Sequence, residues 1–265
     1  MQADQKNRSK PGGPPFTPWQ WRMRYLYAPV SFLVYLPLVG VFTAFGGIVG
    51  LTLSVISLRP MDFIGICWGR LLCWLNFTWV SRRGLENLDP GQSYVIMCNH
   101  QSHFDILVMY GFWPRPFKWV MKEELRKVPF IGSFCARARH VFVDRRDREK
   151  SIANLNAAKA WITDGTSILF FPEGTRSRDG RMQSYKKGGF IMALDMGLPI
   201  LPVSISGTYK LMPRNHLWVF PGKAVVTVHK PIDVSNHTPE TRQQLMAEVR
   251  TSIRSGLPEW ERGEE

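Results

Sequence analysis

Cysteine is scarce in this 265-residue sequence, and its spacing is uninformative for cross-linking or metal binding. The four cysteines form no CxxC pair and lie in apolar or strand-like runs. This argues against a disulfide framework or a zinc knuckle and favours a reducing compartment. The sequence also lacks a GxSxG elbow and an HExxH box, which disfavours a serine hydrolase and a zinc protease of that type.

Acidic residues are also in short supply, since 21 Asp and Glu face 34 Lys and Arg, a formal net charge of +13. Such a balance predicts attraction to polyanions. Nucleic acid, anionic lipid head groups and phosphorylated substrates all fit, and charge alone does not choose among them.

Charged residues are missing altogether between Tyr25 and Leu58. As a helix this stretch would measure about 50 Å, more than the roughly 30 Å of a bilayer core, so we expect it in a membrane. Its prolines and glycines are compatible with one kinked span or with a hairpin that dips in and returns. Basic residues flank both ends, which favours the hairpin with both ends in the cytoplasm. The following run, Phe63 to Val80, carries Arg70 and several tryptophans and predicts an interfacial amphipathic helix.

The chain divides into a flexible basic lead-in (residues 1–24), a membrane-associated helical element (25–80) and a catalytic domain (81–265). In the last part, β-branched or aromatic runs alternate with helical patterns. The strand-like runs are "YVIMC", "FKWVM", "HVFVD", "SILFF", "ILPVSIS" and "AVVTVH". Such alternation predicts an α/β fold with a largely parallel sheet flanked by helices.

The stretch "CNHQSHFD", which directly follows the first strand-like run, holds the first candidate site. Ser102 and Asp105 fit the capping pattern of a helix start. Asp105 is also placed to hold one imidazole nitrogen of His100 and leave the other free to take a proton. A metal site would need a further ligand box, which is absent, so we expect no metal. His103 is expected to be an ordinary helix-face residue.

A second candidate site follows the run "SILFF". The stretch "FFPEGTRSRDGRMQSYKKGGF" combines Gly174, which allows close backbone approach, with Arg176 and Lys186. A solvated basic loop is the alternative, but "PEGT" at a strand end has the composition of a shaped turn, which favours phosphate binding.

Together these stretches resemble a known family. "NHQSHFD" and "FPEGTR" match the NHx4D and FPEGTR motifs of the glycerolipid acyltransferases typified by 1-acyl-sn-glycerol-3-phosphate acyltransferase. "MKEELRKVPFIG", "VFVDRRD" and "LPILPVSISG" are similar to other blocks of that family and stand in the expected order. The resemblance covers roughly residues 85–235, and it implies the family's fold with an N-terminal membrane-embedded two-helix element.

The resemblance also implies roles for individual residues. His100 would be the general base and Asp105 its orienting acid. The implied substrate-binding residues are Lys122, Arg145, Glu173, Gly174, Arg176, Lys186 and Pro202, with Glu173 and Gly174 shaping the glycerol pocket of the acceptor. The expected reaction moves an acyl group from acyl-CoA or acyl carrier protein to the sn-2 hydroxyl of lysophosphatidic acid and gives phosphatidic acid, without a cofactor.

The expected setting is a membrane, specifically the bacterial inner membrane with the catalytic domain on the cytoplasmic face and no nucleic-acid partner. His140 is a departure from the family, where many members have a small residue before the second block. Three alternatives remain open at this point: an acyltransferase acting on another lyso-lipid, a membrane hydrolase of phosphorylated lipids, and a non-catalytic module that binds anionic lipid or nucleic acid.

Overall fold

The computed structural model describes residues 18–144, 146–214, 216 and 218–263, so most of the expected lead-in and Arg145 lie outside the described residues. Helices α1 to α9 are Pro18–Val30, Leu36–Ser54, Arg59–Leu75, Phe104–Phe112, Ile131–Arg137, Arg148–Ala158, Gly188–Met196, Thr208–Leu211 and Arg242–Ser255. Strands β1 to β7 are Thr78–Arg83, Val95–Cys98, Phe117–Lys122, Val141–Val143, Ser167–Phe170, Ile200–Ser206 and Gly222–Val228.

One sheet contains all of these strands, in the order β1-β7-β6-β2-β5-β3-β4. Neighbouring strands run parallel, except that β6 and β7 are antiparallel. Strand β2 is buried on both sides: Ile96 and Cys98 face one apolar cluster, while Val95 and Met97 face the other. Helices α4 and α8 cover the first face, and α7 and α9 cover the second. The predicted fold, a largely parallel sheet flanked by helices, is confirmed.

The N-terminal element begins earlier than expected. Helix α1 starts at Pro18, so residues 18–24 are helical rather than part of a lead-in, and a π-helical segment Ser31–Tyr35 joins α1 to α2. The wider turn accommodates prolines on either side of it, which cannot donate backbone hydrogen bonds. The segment Arg22–Ser54 forms a single helix, and this helix is long enough and apolar enough to cross a membrane. The chain therefore does not fold back before Ser54.

The reversal comes after α2, and α3 returns along it. Helix α3 buries residues at helical spacing, Met61, Gly65, Gly69 and Leu72, and packs against α4 of the catalytic domain. Arg70 lies in the middle of this helix, and its Nε donates to the carbonyl of Gly111 at 2.6 Å. The long helix Arg22–Ser54 and α3 thus pack along each other, and α3 is joined to α4 through Arg70.

The end of the second apolar run is a strand, so the predicted helix to Val80 was wrong there. Helix α3 stops at Leu75, and the Asn76 amide donates to the carbonyl of Phe220 at 2.7 Å. Strand β1 then pairs in parallel with β7, starting with Thr78 opposite Gly222. The sheet domain therefore starts at Thr78, three residues before the expected boundary at 81.

Candidate active site

The site forms where the carboxyl ends of the central strands meet. Strand β2 ends at Cys98, and the next residue, Asn99, joins it to β6. The Asn99 amide nitrogen donates to the carbonyl of Ile205 and its oxygen accepts from the Ile205 N–H, both at 2.8 Å. These two hydrogen bonds to the backbone of Ile205 fix the start of the loop that carries His100. Sequence reasoning did not assign Asn99 a role, although it lies within the motif.

His100 and Asp105 form a hydrogen-bonded pair. The imidazole Nδ1 lies 2.8 Å from Oδ2 of Asp105, and His100 lines the large cavity described below. Among the described residues, no hydrogen bond occupies Nε2. Because the Asp105 carboxylate accepts a hydrogen bond from Nδ1–H, Nε2 is the nitrogen that can take a proton from a ligand.

The Asp105 carboxylate is fully buried and surrounded by donors. Its Oδ2 accepts from the backbone N–H groups of Gln101 at 2.7 Å and Ser102 at 2.9 Å, as well as from His100. Its Oδ1 accepts from the Thr208 hydroxyl. The contact to Ser102 N–H is the helix-start bond expected from the capping pattern, so one carboxylate both caps α4 and holds the histidine.

Phe171 and Glu173 support His100 from the loop after β5. The Phe171 ring stacks on the imidazole with centroids 3.8 Å apart and planes 10° apart. Glu173 is buried; its Oε1 accepts the backbone N–H of His100 at 3.0 Å, and Oε2 accepts from Gln183. Burial raises the pKa of Glu173 to about 8. Glu173 is not among the residues that line the cavity, and its carboxyl group braces the backbone of His100. Its predicted role in shaping a glycerol pocket stays a prediction.

Several cations converge on the same end of the cavity. Lys122, Arg176 and Lys186, three of the predicted substrate-binding residues, all line it, and Gly174 forms part of the wall. Arg214, which the sequence reasoning missed, joins them and donates to the carbonyl of Arg176. Desolvation, followed by the charge of Arg214, lowers the pKa of Arg176. Among the described residues that line the cavity, these four cationic side chains outnumber the one carboxylate, Asp144, and such an excess of positive charge favours an anionic ligand.

Pro202, a predicted substrate-binding residue, is not among the residues that line the cavity. Pro202 is buried within β6 opposite Met97, where its carbonyl accepts the N–H of His229 at 3.0 Å. Its predicted role in substrate binding stays a prediction. Arg145 lies outside the described residues, and its predicted role stays a prediction.

His103 lies at the cavity wall rather than on an ordinary helix face. It immediately precedes α4 and lines the cavity, with its surface partly open. Desolvation, followed by the nearby charges of Arg176 and His100, lowers its pKa to about 4. His103 is therefore neutral at pH 7. No three metal-ligating side chains come together among the described residues.

The cavity has a volume of about 1270 Å³ and extends from this polar end into an apolar arm. Helices α2, α3, α4 and α5 supply the arm, with residues such as Val39, Ile64 and Phe134. In its wall, the Tyr110 hydroxyl is hydrogen-bonded to His140 Nε2, and His140 Nδ1 accepts the N–H of Trp119. The shape suits a ligand with a charged head and one or more long apolar chains.

Comparisons with known proteins agree with this geometry. A family model described as Acyltransferase matches residues 80–206. A 1-acyl-sn-glycerol-3-phosphate acyltransferase of Borreliella burgdorferi is 31% identical over 185 residues, which are 69% of this chain and 74% of the relative. An enzyme of the same name from Chlamydomonas reinhardtii is 34% identical over 177 residues, 66% of this chain and 52% of the relative. The chain thus spans about half the length of that algal relative.

A solved structure extends the likeness to the whole fold. The crystal structure of the 1-acyl-sn-glycerophosphate acyltransferase PlsC from Thermotoga maritima superposes with a TM-score of 0.74 at 29% identity. The match covers 88% of this chain and 96% of that one.

Proposed function

The chain belongs to the acyltransferase family typified by 1-acyl-sn-glycerol-3-phosphate acyltransferase, and from this premise we propose that it acylates the sn-2 hydroxyl of lysophosphatidic acid. The donor is an acyl thioester, acyl-CoA or acyl carrier protein, and the product is phosphatidic acid. The observation that carries the proposal is the His100–Asp105 pair, with Nδ1 and Oδ2 2.8 Å apart, at the cationic end of a large apolar cavity.

In the proposed reaction, Nε2 of His100 takes the proton of the acceptor hydroxyl as its oxygen attacks the thioester carbon. The carbon–sulfur bond breaks, an ester bond forms, and the leaving thiolate receives a proton, so the histidine is restored. Asp105 accepts a hydrogen bond from Nδ1–H throughout and balances the charge of the imidazolium. General base catalysis contributes about 10²- to 10⁴-fold, and alignment of the two substrates supplies much of the remainder.

Lys122, Arg176 and Lys186 are proposed to hold the acceptor phosphate, and Arg214 extends the same cationic wall. An arginine guanidinium binds a phosphate through two parallel hydrogen bonds, whereas a lysine contributes a point charge. The apolar arm would take the hydrocarbon chains. Together these features are expected for a lysophospholipid; a nucleic acid would use the cationic wall but not the apolar arm.

The proposed location is the cytoplasmic face of a bacterial inner membrane. The helix Arg22–Ser54 is apolar enough to enter the bilayer and leaves large side chains such as Leu33 and Phe45 exposed. The cavity is lined by the same helix, at Val39 and Gly46. Lipid substrates would therefore reach the site without leaving the membrane.

The test is an acyl-transfer assay in membranes that contain the protein, with a matrix of acyl-CoA and acyl carrier protein donors and several lyso-acceptors. We expect phosphatidic acid from the wild type and a loss of about 10²- to 10⁴-fold for His100→Ala. His237→Ala is the matched control, because His237 faces Glu248 in the middle of α9 and does not line the cavity. Undiminished transfer by His100→Ala would sink the assignment. Release of free fatty acid or phosphate instead would favour a hydrolase.

A further inference from the structure

Thr208, at the start of α8, connects the His100–Asp105 pair to the C-terminal segment that contains Glu261. We propose that Thr208 is a positioning residue: it fixes the Asp105 carboxylate and, through that carboxylate, the orientation of His100. Glu261 in turn holds Thr208 in place. The inference deepens the proposed function and rests on it. Thr208 does not line the cavity, so it acts through Asp105 and does not touch substrate.

The two oxygens of Asp105 have unequal support. Oδ2 accepts from two backbone N–H groups and from the ring of His100. Among the described residues, Oδ1 accepts from Thr208 alone. Without that hydroxyl, only the donors at Oδ2 would restrain rotation about the Cβ–Cγ bond, and the alignment of Oδ2 with Nδ1 would be less well fixed. A buried carboxylate oxygen left without a donor is also costly, so the group would shift to find one.

Thr208 reaches Asp105 because of the backbone turn that precedes it. Gly207 directly follows β6 with φ +87, and a Cβ at this position would lie 2.4 Å from the carbonyl oxygen of Lys223. Only glycine fits there. The turn directs the chain from the sheet back over α4, and Thr208 is fully buried at its end.

Glu261 holds this turn from the C-terminal segment. It is fully buried, and its Oε1 accepts the N–H of Gly207 at 3.0 Å. Its backbone carbonyl accepts the N–H of Met182 at 2.9 Å, which ties the segment to the loop after β5. Burial raises the pKa of Glu261 to about 7, and the bond from Gly207 opposes this shift. Next to it, the Trp260 ring lies 5.0 Å from the ammonium group of Lys210.

These contacts form one path: Glu261 fixes Gly207, Gly207 orients Thr208, and Thr208 holds Asp105. The path joins a segment more than fifty residues beyond Thr208 to the loop after β2 (Glu261 to Gly207 is a separation of 54 positions). Distance in sequence explains why no motif contains it.

The test compares Thr208→Val, which keeps the shape and loses the hydroxyl, with Thr208→Ser, which keeps the hydroxyl. With the full chain in membranes, we expect Thr208→Val to lower kcat about tenfold and to leave KM for lysophosphatidic acid within about twofold, because the acceptor still binds. Thr208→Ser should retain at least half of the wild-type kcat. Thr78→Val is the matched control, since Thr78 is equally buried but its hydroxyl contacts Asn76.

Glu261 gives a second measurement. Glu261→Gln keeps an oxygen for the Gly207 N–H and should stay close to the wild type, whereas Glu261→Ala should lower kcat about threefold. Thermal unfolding midpoints of all variants separate loss of folding from loss of positioning, and Thr208→Ala replaces the valine variant if the latter does not fold.

The inference is overturned if Thr208→Val keeps a wild-type kcat, or if Thr208→Ser is as impaired as Thr208→Val, which would indicate packing of the methyl group. Failure of the proposed function has a different signature: the wild type itself would transfer no acyl group, or His100→Ala would remain active.

Discussion

The polar end of the cavity and its apolar arm are stabilised by different forces. At the polar end, one carboxylate receives hydrogen bonds from Gln101, Ser102, Thr208 and His100. In the arm, helices α2 and α5 meet through close contacts between glycines and aromatic rings. Hydrogen-bond geometry depends on single atoms, whereas packing depends on volume. The two regions should therefore respond to different substitutions.

The largest effect is expected from Asp105→Asn. The amide cannot accept from all four donors, so the imidazole loses its orientation and the charge that supports its protonated form. Acyl transfer should fall about 10²- to 10⁴-fold. The assay is acyl transfer to lysophosphatidic acid, with Asp195→Asn as control, because Asp195 is a surface residue of α7 facing Lys159. Equal losses in both variants would contradict the role of Asp105.

Arg176→Ala should have the next largest effect. Removal of its guanidinium from the cavity wall takes away charge-assisted hydrogen bonds to the proposed phosphate, worth about 1.5–3 kcal/mol. We expect kcat/KM for lysophosphatidic acid to fall about 10- to 100-fold. Arg178→Ala is the matched control, because Arg178 is exposed and does not line the cavity. An equal loss with a phosphate-free acceptor would count against phosphate binding.

Gly50→Ala tests the apolar arm. The added Cβ would lie 2.4 Å from the Phe134 ring, so α2 or α5 must shift, at a cost of about 1–3 kcal/mol. We expect a lower thermal unfolding midpoint and a smaller change in kcat than for Asp105→Asn. The control is Gly40→Ala, where no atom lies within 4 Å of the new methyl group. If both alanines stabilise the protein through helix propensity, the packing argument is wrong.

The smallest effect concerns pH and the pair formed by His140 and Tyr110. Burial, followed by the charge of Lys118, lowers the pKa of His140 to about 3. Between that value and the unfolded pKa of about 6.5, the unfolded chain binds a proton that the folded chain does not. Stability is thus present above pH 6.5 and is lost as the pH falls. Unfolding measured from pH 7 to 5 should show a shallower decline for His140→Gln, while an unchanged slope would refute the assignment; His103 and His229 also contribute.

The sheet and the reacting pair were predictable because their signals are local. Buried strands read as apolar runs, and "ILPVSIS" corresponds to Ile200–Ser206 residue for residue. His100 and Asp105 lie five positions apart, within one loop and helix start. Strand β1 escaped notice because "TWVSRR" pairs with β7, which is far along the chain, and the preceding apolar helix masked it.

Other features depended on contacts between distant parts of the chain. Glu173 is the acidic residue of the FPEGTR motif and was expected to bind a ligand, yet it is buried behind His100. Pro202 was also expected to bind a ligand and is buried in the sheet. Arg214 and Thr208 lie outside the motifs that the sequence revealed. The fold nevertheless brings Arg214 next to Arg176, a candidate phosphate-binding residue, and Thr208 next to Asp105.

The residue order alone therefore specified the α/β class, the apolar N-terminal element, the histidine–aspartate pair and the family. Whether a polar side chain faces the cavity, braces a backbone or is buried in the sheet followed from the packing of distant segments. The physical reason is that hydrogen bonding and burial depend on which atoms become neighbours. Within a loop or helix start, chain geometry determines those neighbours; between Glu261 and Gly207, the complete fold does.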